Sequence, residues 1–266
     1  MTTVTQQPDS FGALLRGWRL RRRLSQLELS AESGISSRHL SFLETGRASP
    51  SRDMVLRLAE WLDVPLRERN TLLTAAGFAP TYDRRSIDAP ELAAVNAAIQ
   101  TILRVHEPNP AIALDRYWNI IMVNQAAGLL SAGVPDHLLT PTANAYRISL
   151  HPDGLAGRIV NFAEFAHSLL ARLRHDVAVS ADPELTALLT EVEGYAMLRT
   201  TGPVIPERGA VVTPMRLRSP DGPLSFFTTI TTVGTPVDIT VAELAIETFF
   251  PADEPTARRL RELAGS

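Results

Sequence analysis

The 266-residue sequence contains no cysteine and no lysine. Without cysteine, disulfides, thiol nucleophiles and thiolate metal sites are excluded. The same absence fits a reducing compartment. Without lysine, all 26 basic residues are arginine, as a GC-rich coding bias would produce. No apolar run approaches the roughly 18 residues that span a bilayer. The opening residues, MTTVTQQPDS, lack the basic and apolar regions of a signal peptide. A cytoplasmic protein with no membrane partner is therefore expected. Catalytic signatures are missing too: there is no G-x-S-x-G, no P-loop and no G-x-G-x-x-G. The six histidines show no paired metal-ligand spacing. No enzyme activity, metal or cofactor is expected.

The net charge of −3 conceals an asymmetry. Residues 11–57 carry nine arginines against four acids, a balance of +5, whereas residues 58–266 carry 17 arginines against 24 acids, a balance of −7. A basic head on an acidic body suits a head that meets a polyanion.

That head reads as five short helices. Phe11, Leu14, Leu15 and Trp18 share one helical face, with Ser10 as cap and Arg21, Arg22 and Arg23 at the end. The arginine run suits either a solvated helix end or DNA contact. Ser25-Gln26-Leu27-Glu28 fits a capping box that opens a second helix, which stops at Gly34. Ser36 caps a third, ending at Thr45-Gly46. Pro50-Ser51 opens a fourth, and Pro65 sits in the first turn of a fifth that stops at Gly77. A helix, a tight Gly-containing turn and a second helix over Ser25 to Glu44 match the outline of a helix-turn-helix. An αα-hairpin has the same outline, so the outward face decides. There, Leu40 and Leu43 point inward, while Ser37, Arg38, Ser41 and Phe42 face the opposite way. These side chains can address base edges and the thymine methyl, although Phe42 could instead pack on a neighbouring element.

The stretch LSQLELSAESGISSRHLSFLETGRASPSRDMVLRLAEWLDV, from Leu24 to Val64, resembles the Xre/lambda-type repressor helix-turn-helix. The resemblance implies double-stranded DNA as partner. It implies phosphate contacts from Gln26, Ser36 and Arg47, base reading by Ser37, Arg38, Ser41 and Phe42, and a structural Glu44.

Residues 1–80 are thus expected to form the DNA-binding domain. Residues 81–105 would be a linker and connecting helix, and residues 106–266 a second domain. On the connecting helix, Leu92, Val95, Ile99 and Ile102 form an apolar stripe, for core packing or for a dimer contact. Ala111 to Leu114 and Trp118 to Val123 read as a strand pair leading into a helix at Asn124. Leu155, Ile159, Phe162, Ala166, Leu169 and Leu173 lie on one face of a single helix, and another opens at Asp182-Pro183. Val211 to Leu217, Leu224 to Val233 and Leu244 to Phe250 read as strands, the first two joined by a turn at Ser219 to Pro223. This makes a five-stranded antiparallel α/β module of PAS type behind an all-α five-helix domain.

Three segments carry a second resemblance, to the ligand-binding domain of MmyB-like regulators. They are HEPNPAIALDRYWNIIMVNQAA from His106, HPDGLAGRIVNFAEF from His151, and DGPLSFFTTITTVGTPVDITVAELAIETFFPAD from Asp221. The family implies a PAS-like fold and a pocket for a small apolar, fatty-acid-like ligand. Phe162 and Phe165 stand where tryptophans are common in the family. Phe162, Phe165, Leu169, Phe226 and Ile230 are candidate pocket residues, with Arg147 or His151 for a polar head group. Arg147 could equally pair on the surface, and His151-Pro152-Asp153-Gly154 could simply be a capped turn. A ligand-responsive homodimeric regulator is expected; in the alternative, the second domain only dimerises or recruits a protein partner.

Overall fold

The computed structural model of the chain describes residues 10–180, 182–199, 212–220 and 222–265. They divide into two compact units. Met1–Arg85 with Pro236–Ile239 form the first, and Ser86–Thr235 with Thr240–Ser266 the second.

The first unit holds α1 (Phe11–Arg21), α2 (Gln26–Ser33), α3 (Ser37–Glu44), α4 (Arg52–Trp61) and α5 (Leu66–Ala75). Each boundary has a local cause. Ser10, Ser25, Ser36 and Ser51 accept backbone N–H bonds at the starts of α1 to α4, satisfying donors that the helix itself leaves open. Ser25 and Glu28 form a complete capping box. Gly34 ends α2 in the left-handed region at φ 70°, where an L side chain would be strained. Pro65 occupies the cap position of α5 and not its first turn. Leu15, Leu40, Leu58, Leu62 and Leu72 fill the shared core, each stabilising the unit by about 1.5–3 kcal/mol on burial.

The second unit begins with α6 (Ala93–Val105), β1 (Ala111–Leu114) and β2 (Ile120–Val123). The helical middle follows: α7 (Gly128–Ser131), α8 (Asp136–Leu139), α9 (Ala145–Leu150), α10 (Phe162–Ser180), α11 (Pro183–Glu193) and α12 (Ala196–Arg199). The chain then forms β3 (Met215–Leu217), β4 (Leu224–Thr232), α13 (Ile239–Ala242), β5 (Ala245–Pro251) and α14 (Glu254–Ala264). The five strands make one antiparallel sheet in the order β2-β1-β5-β4-β3, the arrangement of a PAS-like fold.

Both sheet faces are covered, and the period-2 alternation of strand side chains sorts them. Ile112, Leu114, Phe226 and Phe249 pack beneath the helical middle. Ala111, Ala113 and Ile246 pack with Ile99 and Leu103 of α6. Helix α6, expected as a connector, therefore belongs to the second unit. Its inward stripe runs through Leu92, Val95, Ile99 and Leu103, while Ile102 is 43% exposed. Ile102 and Leu103 follow Ile99 by three and four residues, so helical period allows either; packing against Ala111, Ala113 and Ile246 takes Leu103.

Three further expectations change. The single helix through Leu155 and Ile159 begins only at Phe162, because Ile159 pairs with Leu217 and Val160 N–H donates to Arg216 O. Leu155 instead lies in a π-type turn, Pro152–Ala156. The second strand starts at Ile120, since Trp118 takes a positive φ of 64° in the preceding turn. The third strand is seen as Met215–Leu217; Val211 and Asp221, expected in that strand and its following turn, lie outside the described residues. No helix among the described residues is long and apolar enough to cross a membrane.

Candidate functional site

Helix α3 is held by a buried ionic clamp. Arg19 Nε and Nη2 donate to Glu44 Oε1 and Oε2 at 2.6 and 2.9 Å, and Gln26 Nε2 donates to Glu44 Oε2 at 2.8 Å. Burial alone would raise the Glu44 carboxyl. The hydrogen bonds from Arg19 and Gln26, with the charges of Arg19 and Arg16, outweigh it and hold Glu44 below the usual carboxylate range. One clamp thus joins α1, the start of α2 and the end of α3. Gly12 on α1 lies so close to α3 that a Cβ there would stand 2.5 Å from the carbonyl oxygens of Leu43 and Glu44.

With Leu40 and Leu43 buried, the opposite face of α3 is open. Ser36, Ser37 and Arg38 are exposed and Ser41 and Phe42 half-buried. The Arg38 guanidinium lies 5.4 Å from the Phe42 ring centre, one turn along the helix. Arg47 is exposed just beyond the helix end. The three arginines ending α1 differ. Arg22 donates to the Leu62 and Asp63 carbonyls and so satisfies the end of α4, while Arg21 lies over the Trp18 ring.

The second unit encloses a cavity of about 270 Å³ between the sheet and the helical middle. Ile112, Ile120 and Phe249 line it from the sheet, and Ile148, Phe165 and Leu169 from the helices. Polar residues also reach its wall: Ser131, Ser149, Tyr146 and Glu247. Tyr146 is 1% exposed, and its Oη has no hydrogen-bond partner among the described residues. Burial pushes its hydroxyl well above the ordinary range; the charge of Asp176 and, less, that of Glu247 add to this, against Arg172. Glu247 shares the cavity face of β5 with Phe249. Burial raises its carboxyl, opposed by the charge of Arg172 and a bond from Thr228.

Of the seven residues expected in the pocket, Phe165 and Leu169 line this cavity. Phe162 and Phe226 lie in the adjoining core, and Ile230 pairs with Glu247 across the sheet. Arg147 is not in the wall: it forms two 2.8 Å bonds to Glu191, which also accepts from Tyr195 Oη. His151 Nδ1 accepts from Asp153 N–H and caps the π-type turn. The polar end of the cavity thus moves from Arg147 and His151 to Tyr146 and Glu247. Sequence reasoning passed over both. An acid inside the apolar strand AIETFFP was the available signal.

His137, His151 and Asp153 bring their donor atoms within 4.8 Å of one another. They come from two segments, so linear spacing does not reveal the group. The His151 Nδ1 already accepts from Asp153 N–H as a turn cap.

A family model described as MmyB-like transcription regulator ligand binding domain matches residues 95–263, and one described as a helix-turn-helix domain matches residues 10–72. No curated protein matches the chain. One solved structure to which it is similar, described as "Structure of an RNA-binding Light-Oxygen-Voltage Receptor", is 14% identical with a TM-score of 0.27. The match covers 95% of this chain, which spans 63% of the length of that one.

Proposed function

Since the chain belongs to the MmyB-like transcription regulator ligand-binding-domain family, we propose that it is an Xre-type homodimeric repressor or activator of transcription, and not an enzyme, controlled by a small apolar ligand. The helix-turn-helix match and the ligand-binding domain make it a DNA-binding transcription regulator. The finer reading is that Ser37, Arg38, Ser41 and Phe42 read bases, while Ser36, Arg47 and the second amide N–H of Gln26, whose first donates to Glu44, meet phosphates. In a protein acting on DNA this fits a cytoplasmic or nucleoid location.

The observation that carries the ligand reading is the cavity. At about 270 Å³ it falls just under the usual range for small-molecule pockets, roughly 300–1,000 Å³. Its mostly aliphatic and aromatic wall suits an acyl-type, fatty-acid-like chain, each buried methylene of which contributes about 0.8 kcal/mol. Burial alone does not regulate. The ligand must bind the two DNA-affinity states unequally.

The test is native mass spectrometry of the purified protein, organic extraction, and DNA titration with and without the recovered compound. A retained lipid-like molecule that changes DNA affinity is the expected result. An empty protein whose DNA binding ignores a lipid panel would leave the second domain with dimerisation or protein recruitment only.

A further inference from the structure

Outside α3 and the cavity, one group of side chains has the composition of a metal site. His137 on α8, His151 after α9 and Asp153 in the π-type turn bring their donor atoms within 4.8 Å of one another. Asp153 Oδ2 lies 3.9 Å from His137 Nε2 and 3.9 Å from His151 Nδ1. Around a tetrahedral ion with bonds of about 2.0–2.2 Å, neighbouring ligand atoms stand about 3.3–3.6 Å apart. The carboxylate therefore has to close by only about half an ångström on each imidazole to share one ion. The side chains that must move have the room: those of His137 and Asp153 are more than half exposed. His151 is the fixed point. Its ring packs edge-on against Tyr195 at 5.0 Å, and the Tyr195 hydroxyl donates to Glu191, which Arg147 holds in turn.

We propose that His137, His151 and Asp153 form a binding site for one divalent transition-metal ion of the zinc class, with water completing the coordination. Two imidazoles and one carboxylate suit Zn²⁺ and not Mg²⁺, which takes an all-oxygen shell. The ion competes with the turn cap. A neutral imidazole has one lone pair, and that of His151 accepts from Asp153 N–H. An ion on either ring nitrogen removes this bond: on Nδ1 it occupies the lone pair, and on Nε2 it leaves Nδ1 protonated. Asp153 is exposed, so water replaces the lost acceptor. In exchange the ion ties α8 to the turn that follows α9. Both segments and α9 itself line the cavity, through Leu139 on α8, Ile148 and Ser149 on α9 and Leu155 in the turn. The bound ion thus braces the helical wall of the second unit, whether or not a ligand fills the cavity, so the site stands or falls independently of the ligand reading.

The experiment titrates the untagged full chain, stripped with chelator and dialysed, with ZnCl₂ and with MgCl₂ by calorimetry. One equivalent of Zn²⁺ should bind, and Mg²⁺ should not. His137→Ala and Asp153→Ala should each weaken Zn²⁺ at least about tenfold, since even an outer-shell partner of a metal is worth about 10–100-fold. His175→Ala, which removes a histidine on α10, should leave the affinity unchanged. Because His137 is exposed, its variant should melt with metal-free wild type. Zn²⁺ should then raise the melting temperature of wild type and not that of His137→Ala. Hydrogen exchange in α8 and in residues 151–154 should slow when Zn²⁺ is added. A wild-type chain that binds no Zn²⁺ would overturn the site. So would Zn²⁺ binding that survives both His137→Ala and Asp153→Ala, or that is lost in His175→Ala, which would put the ion on α10.

Discussion

Arg38 and Arg47 carry the same charge but stand differently. Arg38 projects from the open face of α3 beside Phe42, whereas Arg47 lies beyond the helix end. Arg38→Ala should therefore cost about 1–3 kcal/mol of DNA binding and relax preference at one base pair. Arg47→Ala should weaken all sequences alike and lower the salt slope by about one. Binding-site selection with salt titration separates the two, and an unchanged site preference in Arg38→Ala would refute the reading face. Glu44 is different in kind, being buried and ionised. Removing its charge in Glu44→Gln leaves Arg19 unpaired, and a broken buried pair costs about 3–5 kcal/mol. The pH sign follows from the depressed carboxyl. Its stabilisation is present above the carboxyl's unfolded value and is lost as pH falls through the lower folded value. Acid titration monitored by circular dichroism should show this loss in wild type and not in Glu44→Gln.

At the scale of elements, α3 is positioned by contacts that its own sequence does not contain. Gly12 lets α1 approach the last turn of α3 to a distance that no side chain permits. Gly12→Ala should force the two apart, destabilising the first unit by about 1–3 kcal/mol and weakening DNA binding beyond what stability loss alone explains. Thermal melts combined with DNA titration below the melting range check this. Full DNA affinity in a folded Gly12→Ala protein would show that the α1–α3 approach is not needed. Gly154 has a comparable role in the second unit, where a Cβ would stand 2.2 Å from Ile148 O. Most helix starts were readable because serine caps act locally, within three residues. The start of α10 was not, because the edge strand β3 captures Ile159 and Val160 from a helical pattern. The apolar stripe on α6 was legible as a stripe. Its use was not, since covering the sheet's outer face buries Leu103 and leaves Ile102 out.

For the whole molecule, the basic first 57 residues and the acidic remainder divide polyanion contact from ligand binding. One helix-turn-helix per chain reads few base pairs, so two copies on a near-palindromic site are expected, with half-sites about one DNA turn or a multiple apart. Sedimentation should show a dimer at micromolar concentration, at least on DNA. A monomer both with and without operator would count decisively against it. The dimer expectation now rests on the DNA-reading argument, because most of the α6 stripe is spent inside the second unit.

By itself the sequence determined what depends on neighbours along the chain. Caps, glycine stops, strand alternation and the exposed row on α3 all follow from short-range sterics and helical or strand period. So did the apolar character of the second domain's interior, since Phe165 and Leu169 could only be buried. Tertiary structure decided what depends on residues far apart in sequence. It spent Arg147 on Glu191, 44 residues away, and left the Tyr146 hydroxyl without a partner among the described residues. It also turned Glu247 toward a cavity whose other walls include Phe165 and Ile148, from helices far earlier in the chain. Local pattern fixes which side chains are buried; only the packing of distant segments fixes which buried polar groups find partners.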